Sequence, residues 1–205
     1  MATALIDSES VRAPRAPSGA HPRALQSSRV LSDRAPFRGA ADLDFSHEAR
    51  LEGELPSWLA GDLLRTCPAV FQVGNWRALH WFDALGMLFQ FRLSPGRVSY
   101  RQRLMGSRMR AEVERGEVRS ASFATPSDRG FLSRVLSPVP QTTDNVNVNV
   151  VPLGHQRVAL TETAYQWAVD PDTLALTELV TYQDELGALS MIAHPHFDFE
   201  RQKVV

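Results

Sequence analysis

Met87-Leu88-Phe89-Gln90-Phe91-Arg92-Leu93-Ser94-Pro95-Gly96-Arg97-Val98-Ser99-Tyr100-Arg101 reads as two strands joined by a tight turn. Met87, Phe89, Phe91 and Leu93 alternate with Leu88, Gln90 and Arg92, and Val98 and Tyr100 alternate with Arg97, Ser99 and Arg101. A period of two interrupted by Ser-Pro-Gly predicts an antiparallel hairpin. The pattern recurs downstream. Val146, Val148 and Val150 alternate with Asn147 and Asn149, Pro152-Leu153-Gly154 predicts a turn, and residues 158–163 return as a strand. Residues 165–169 run to the turn Asp170-Pro171-Asp172-Thr173, and residues 174–182 come back. Short strands with tight turns and few 3.6-period stretches predict an all-β fold of antiparallel sheets, either propeller blades or a sandwich. Residues 54–60 suggest one helical turn, and residues 111–118 a short helix or a strand edge.

Residues 1–40 differ in kind. They are rich in Ala, Pro, Ser and Arg, with six Arg and three acids. Such a stretch buries too little to offset its ordering entropy, so it is expected to be a disordered tail ahead of a β domain over 41–205. The acids argue against a transit peptide, and no apolar run of about 7–15 residues marks a secretory signal. No window approaches the roughly 18 apolar residues of a membrane span. The chain has 205 residues, 43% of them hydrophobic, and a net charge of −1. That charge excludes the basic excess of a nucleic-acid binder. The single cysteine, Cys67, allows no internal disulfide and reads as a small packed residue. A cytoplasmic protein is expected, with peripheral contact to a membrane as its one membrane association.

Chemistry concentrates near the end of the chain. Ala193-His194-Pro195-His196-Phe197-Asp198 reads as extended, which would place both imidazoles on one face of a strand. Neutral imidazole suits Fe(II), Zn(II), Cu(II) and Ni(II), so His194 is a candidate ligand; two structural histidines are the plainer reading. His21 and His47 lie in or beside the tail, His155 in an expected turn, and His80 either points inward or packs in the core. Glu162 stands in a β-branched run, where a carboxylate is costly to bury unless paired. It could accept the free N–H of a ligating histidine, or sit at a solvated strand edge. Asp144-Asn145 has the side chains of a turn that bonds backbone groups. Phe131, Leu132, Val135 and Leu136 form an apolar cluster beside Arg129 and Arg134, suited to a core segment or to a loop dipping into a membrane.

Taken in order, several segments resemble the carotenoid cleavage oxygenase family. These are residues 53–65 with Pro68, His80-Trp81-Phe82-Asp83 running to Gly86-Met87 and Tyr100, and Thr143-Asp144-Asn145 with Val148-Asn149. Then come Thr161-Glu162-Thr163, residues 170–174, and Ala193 through Asp198. The resemblance covers roughly residues 50–200. It implies a seven-bladed β-propeller, of which this chain would supply the N-terminal blades, and an Fe(2+) held by four histidines that glutamates help to orient. It makes His194 the first ligand, His196 a neighbour, and Glu162 one of the orienting glutamates. Phe131, Leu132, Val135 and Leu136 fall where the family meets the membrane. The family has Asp-Gly where this chain has Asp83-Ala84, so a tight turn is expected to change there.

The resemblance implies a dioxygenase that cleaves a conjugated C=C bond of a carotenoid or apocarotenoid with O2. Three of the four histidine ligands would lie outside this chain, so the isolated chain is expected to be an incomplete, inactive fragment. The alternatives are a non-catalytic β module that binds a lipid or a partner protein, and an isomerase of the same family.

Overall fold

Period-two sequence becomes antiparallel pairing throughout the computed structural model. It describes residues 3–5, 39–40, 42–136, 141–180, 190–198, 200–201 and 203–204. Along the chain, β1 (Thr3–Leu5), β2 (Asp44–Glu52) and β3 (Gly61–Val70) precede a small ribbon of β4 (Gln72–Val73) and β5 (Trp76–Arg77). The hairpin of β6 (Leu85–Ser94) and β7 (Arg97–Leu104) follows, then helices α1 (Arg108–Arg115) and α2 (Phe131–Leu136). The rest is β8 (Asn149–Leu153), β9 (Gln156–Leu160), β10 (Trp167–Val169), β11 (Leu176–Leu179), β12 (Phe197–Asp198) and β13 (Lys203–Val204).

Two sheets carry the fold. The first has the order β1-β2-β7-β6-β3, and the second is a sequential meander, β11-β10-β9-β8. β3 and β8, each at one edge of its sheet, lie against each other. Antiparallel sheets packed in this way are the blades of a partial β-propeller. Residues 1–2 and 6–38 of the expected tail, His21 among them, lie outside the described residues, whereas Thr3–Leu5 pairs with the edge of β2.

The 87–101 hairpin forms as read. Ser94 pairs with Arg97 across Pro95-Gly96, and Gly96 takes a φ of +70°, open to glycine without a Cβ clash. Its alternation, however, does not divide core from solvent. Phe89 and Phe91 pack with Val98 and Tyr100 on one face, while Leu88 on the other face is fully buried among Met105, Val146, Ala159, Val169 and Leu174. Both faces are covered because the second sheet packs on the first. Each such buried aliphatic side chain contributes about 1.5–3 kcal/mol.

A polar clamp completes the packing of the two sheets. The 170–173 turn is held by Gln90 Nε2 on Pro171 O at 2.9 Å, by Arg92 on Asp172 Oδ1 at 2.8 Å and by Arg103 on Thr173 O at 3.0 Å. Arg101 also donates to Asp172 O. Leu174 leaves this turn at a φ of +57°, the one positive φ outside glycine among the described residues, and is fully buried.

Several local expectations are decided by the structure, most of them as corrections. Residues 54–60 form no helix; they make a turn closed by Leu59 N on Pro56 O at 2.9 Å, with Trp58 out in solvent. Residues 111–115 are helical, as the end of α1. The second hairpin turns at Gly154-His155 and not at 152–154, since Leu153 still pairs with Gln156. Val146 and Val148 precede β8 and are not part of it. The strand expected over 174–182 is β11 alone, and Thr181 and Tyr182 lie outside the described residues. Ala84 has a φ of −64°, so no left-handed position stands there and alanine fits without strain.

Candidate metal-ligand and apolar surface residues

The segment leading to His194 is tied down on the second sheet. Ala193 is fully buried against Val151, Val158 and Leu160, and its carbonyl accepts from Asn149 Nδ2 at 2.9 Å. Ser190 Oγ donates to the backbone oxygen of Glu162 at 3.0 Å. The chain bearing His194 therefore passes beside the bend that follows β9, where Glu162 stands half-buried; the strand expected over 158–163 ends at Leu160, so Glu162 lies outside it. The expected strand does not form here. His194 sits at a bend, His196 in the connection before β12, and both are exposed. Two-residue spacing aligns side chains only where the backbone is extended, and the buried Ala193 anchor bends it instead.

Among the described residues, no group of three or more His, Cys, Asp or Glu side chains could hold a metal ion. His194 offers one imidazole, and one ligand does not make a metal site. The donor set falls short of an iron centre by itself. His80 and His155 do not add to it. His155 lies in the β8–β9 turn; His80 is exposed, neither inward nor core, and caps the Trp81–Asp83 turn by accepting from Phe82 N at 3.2 Å. Cys67 packs beside the Leu85–Met109–Val113 cluster, and burial pushes its thiol pKa up, which suits a packed residue and not a nucleophile.

The apolar cluster is a helix turned outward. On α2, Phe131 is 80%, Leu132 72%, Val135 59% and Leu136 82% exposed, so nothing in the described residues of this chain covers them.

Behind these positions lies a buried polar scaffold. The Asp144-Asn145 turn bonds backbone groups, as its residue types suggest. The Asp144 carboxylate accepts from Arg108 N at 2.8 Å and Met109 N at 2.9 Å, capping α1, and from Trp167 Nε1 at 3.3 Å. Asn145 accepts from Gly86 N at 2.9 Å and donates to Ala84 O at 2.7 Å; Asn147 Nδ2 donates to the same carbonyl at 2.8 Å. Sequence reasoning missed Asp83. The residue is 2% exposed, and its carboxylate accepts from Phe123 N, Ala124 N, Thr125 N and Thr125 Oγ1 at 2.7–2.9 Å. The available signal was an acid inside the apolar run Trp81-Phe82-Asp83-Ala84, which cannot be buried unpaired.

The fold and sequence match known proteins over most of the chain. The profile of the family described as RPE65, retinal pigment epithelial membrane protein, matches residues 37–205. Mouse beta,beta-carotene 15,15'-dioxygenase is 32% identical over 160 residues, 74% of this chain and 28% of that protein. The mitochondrial carotenoid-cleaving dioxygenase of Pongo abelii is 35% identical over 161 residues, 73% of this chain and 29% of that one. The chain thus spans under a third of the length of these curated relatives. A variant of Synechocystis apocarotenoid oxygenase superposes with a TM-score of 0.66 at 21% identity, over 80% of this chain and 36% of that one. A cobalt-substituted form of the Synechocystis protein does so with a TM-score of 0.61 at 24% identity, over 77% of this chain and 33% of that one. With the profile matched from residue 37 to residue 205 and the blades superposing as they do, the chain belongs to the carotenoid cleavage oxygenase family.

Proposed function

We propose that this chain forms the N-terminal blades of a non-haem Fe(II) dioxygenase that cleaves a conjugated C=C bond of a carotenoid or apocarotenoid. O2 is the oxidant: the double bond breaks, and each carbon ends as a carbonyl bearing one oxygen atom. The family match over residues 37–205 carries this reading, together with relatives that are carotenoid dioxygenases. His194 contributes one imidazole to the iron, and residues outside this chain supply the other ligands. Glu162 orients a ligand imidazole by accepting its free N–H. Phe131, Leu132, Val135 and Leu136 place α2 against a membrane from which a lipophilic substrate enters, so the protein is cytoplasmic and peripheral to that membrane.

The isolated chain is inactive on this reading. Purified with ferrous iron and supplied with an apocarotenoid, it forms no aldehyde; clear turnover would overturn that statement. A chimera joining this chain to the C-terminal portion of the Synechocystis apocarotenoid oxygenase tests the enzyme itself. Cleavage by the chimera, lost on His194→Ala, supports the assignment. An unaffected His194→Ala variant removes His194 from the iron. The exposure of α2 favours a second reading, a non-catalytic β module that binds lipid, which predicts vesicle binding with no cleavage by the chimera.

A further inference from the structure

The surface around the Trp81–Asp83 turn joins four side chains in one closed circuit. His80 Nδ1 accepts from Phe82 N at 3.2 Å and caps the turn. A ring nitrogen that accepts carries no hydrogen, so this cap requires the neutral imidazole. Asp83, at the other end of the turn, holds the backbone of Phe123, Ala124 and Thr125. Phe123 then returns to the start. Its ring stacks on His80 with centroids 5.7 Å apart and planes 29° apart, and packs on Phe82 at 5.7 Å. Thr125 Oγ1 closes the circuit by accepting from Leu79 N at 2.9 Å. His80 is exposed, so protons from solvent reach its ring.

We propose that His80 is an acid-sensitive cap on the Trp81–Asp83 turn. A second proton turns Nδ1 from acceptor to donor, and it then faces the Phe82 N–H donor to donor. The cap is lost, and Phe123 loses the ordered ring on which it stacks. Among the described residues of its own turn and the elements beside it, the charged side chains are Asp83 and Arg77. On its own turn stands Asp83, whose two oxygens are already taken by four donors. The strap from Ala121 to Thr125 carries no titratable side chain, β5 brings the exposed Arg77, and the facing segment brings the neutral amides of Asn145 and Asn147. The cap itself requires the neutral ring. The capped form binds one proton fewer than the open one, so acid favours opening. An imidazole side chain changes charge between about pH 5 and 8, which sets the span of the test.

Amide exchange of the full 205-residue chain tests it, with rates corrected for intrinsic exchange at each pH. Phe82 N–H protection in the natural chain falls about fivefold or more from pH 8 to pH 5, while Val158 in β9 keeps its own. His80→Asn retains a capping oxygen that does not titrate, so its Phe82 protection is equal at both pH values. His80→Phe leaves Phe82 unprotected at both. Equal protection in the natural chain at pH 8 and pH 5, no protection at pH 8, or the same fall in His80→Asn would each overturn the proposal.

Discussion

Gly86 and Asn147 stand so close that a Cβ built on the glycine would lie 2.7 Å from the Cβ of the asparagine. Asn145 Oδ1, which accepts from Gly86 N, would be 3.3 Å away. This is where β6 of the first sheet meets the chain entering the second, and backbone passes against backbone with no room for a methyl group. Gly86→Ala must push Asn145 and Asn147 off the carbonyl of Ala84. A destabilisation of about 2–3 kcal/mol is expected, read as a lower urea midpoint with an unchanged slope.

Asp144 ties α1 to the second sheet through three donors, two from the helix N-terminus and one from the Trp167 indole. Asp144→Ala strips the cap and leaves the indole N–H without its acceptor. The expected cost is about 2–3 kcal/mol by equilibrium unfolding. Ser107→Ala removes the hydroxyl that accepts from Arg110 N at 3.1 Å, a single cap bond, and is expected to cost about 1 kcal/mol. Equal losses in the two variants would contradict the assigned roles.

Tyr100 sits within Phe45, His47, Phe89 and Phe91, and burial, then the nearby Cys67, pushes its phenol pKa up to about 12. A pKa raised on folding means that the native chain holds its proton where the unfolded chain has released it. The resulting stability is full below about pH 10 and is lost as pH rises toward about 12. Roughly 1 kcal/mol is expected from this group once solvent screening is allowed for. In Tyr100→Phe the unfolding midpoint should change less between pH 10 and pH 12 than in the natural chain.

The α2 helix offers a test free of stability effects. Phe131 and Leu136 are 80% and 82% exposed, so changing both to Asp removes little packing. The melting temperature should stay within about 2 °C of the natural chain, since surface substitutions cost under about 0.5 kcal/mol. Co-sedimentation with phospholipid vesicles should fall at least tenfold. Undiminished vesicle binding would take α2 out of the lipid contact.

What could be read from the chain alone was whatever depends on neighbours in sequence. The 87–101 hairpin is specified by alternation and by Pro95-Gly96, and the Asp144-Asn145 turn by side chains that reach nearby backbone. The family was legible because its motifs are spaced segments that survive without any three-dimensional knowledge. Long-range packing decided the rest. Leu88 and Gln90 lie on the face opposite Phe89 and Phe91, and both are buried because a second sheet covers that face. Leu174 takes a left-handed backbone because the clamped 170–173 turn delivers it into the core between the sheets. His194 read as a strand residue and stands at a bend, because the burial of Ala193 and its bond to Asn149, 44 residues earlier, set the local backbone. Period and spacing are properties of a few consecutive residues; burial and backbone strain belong to contacts between segments far apart in the chain, and only the folded sheets bring those together.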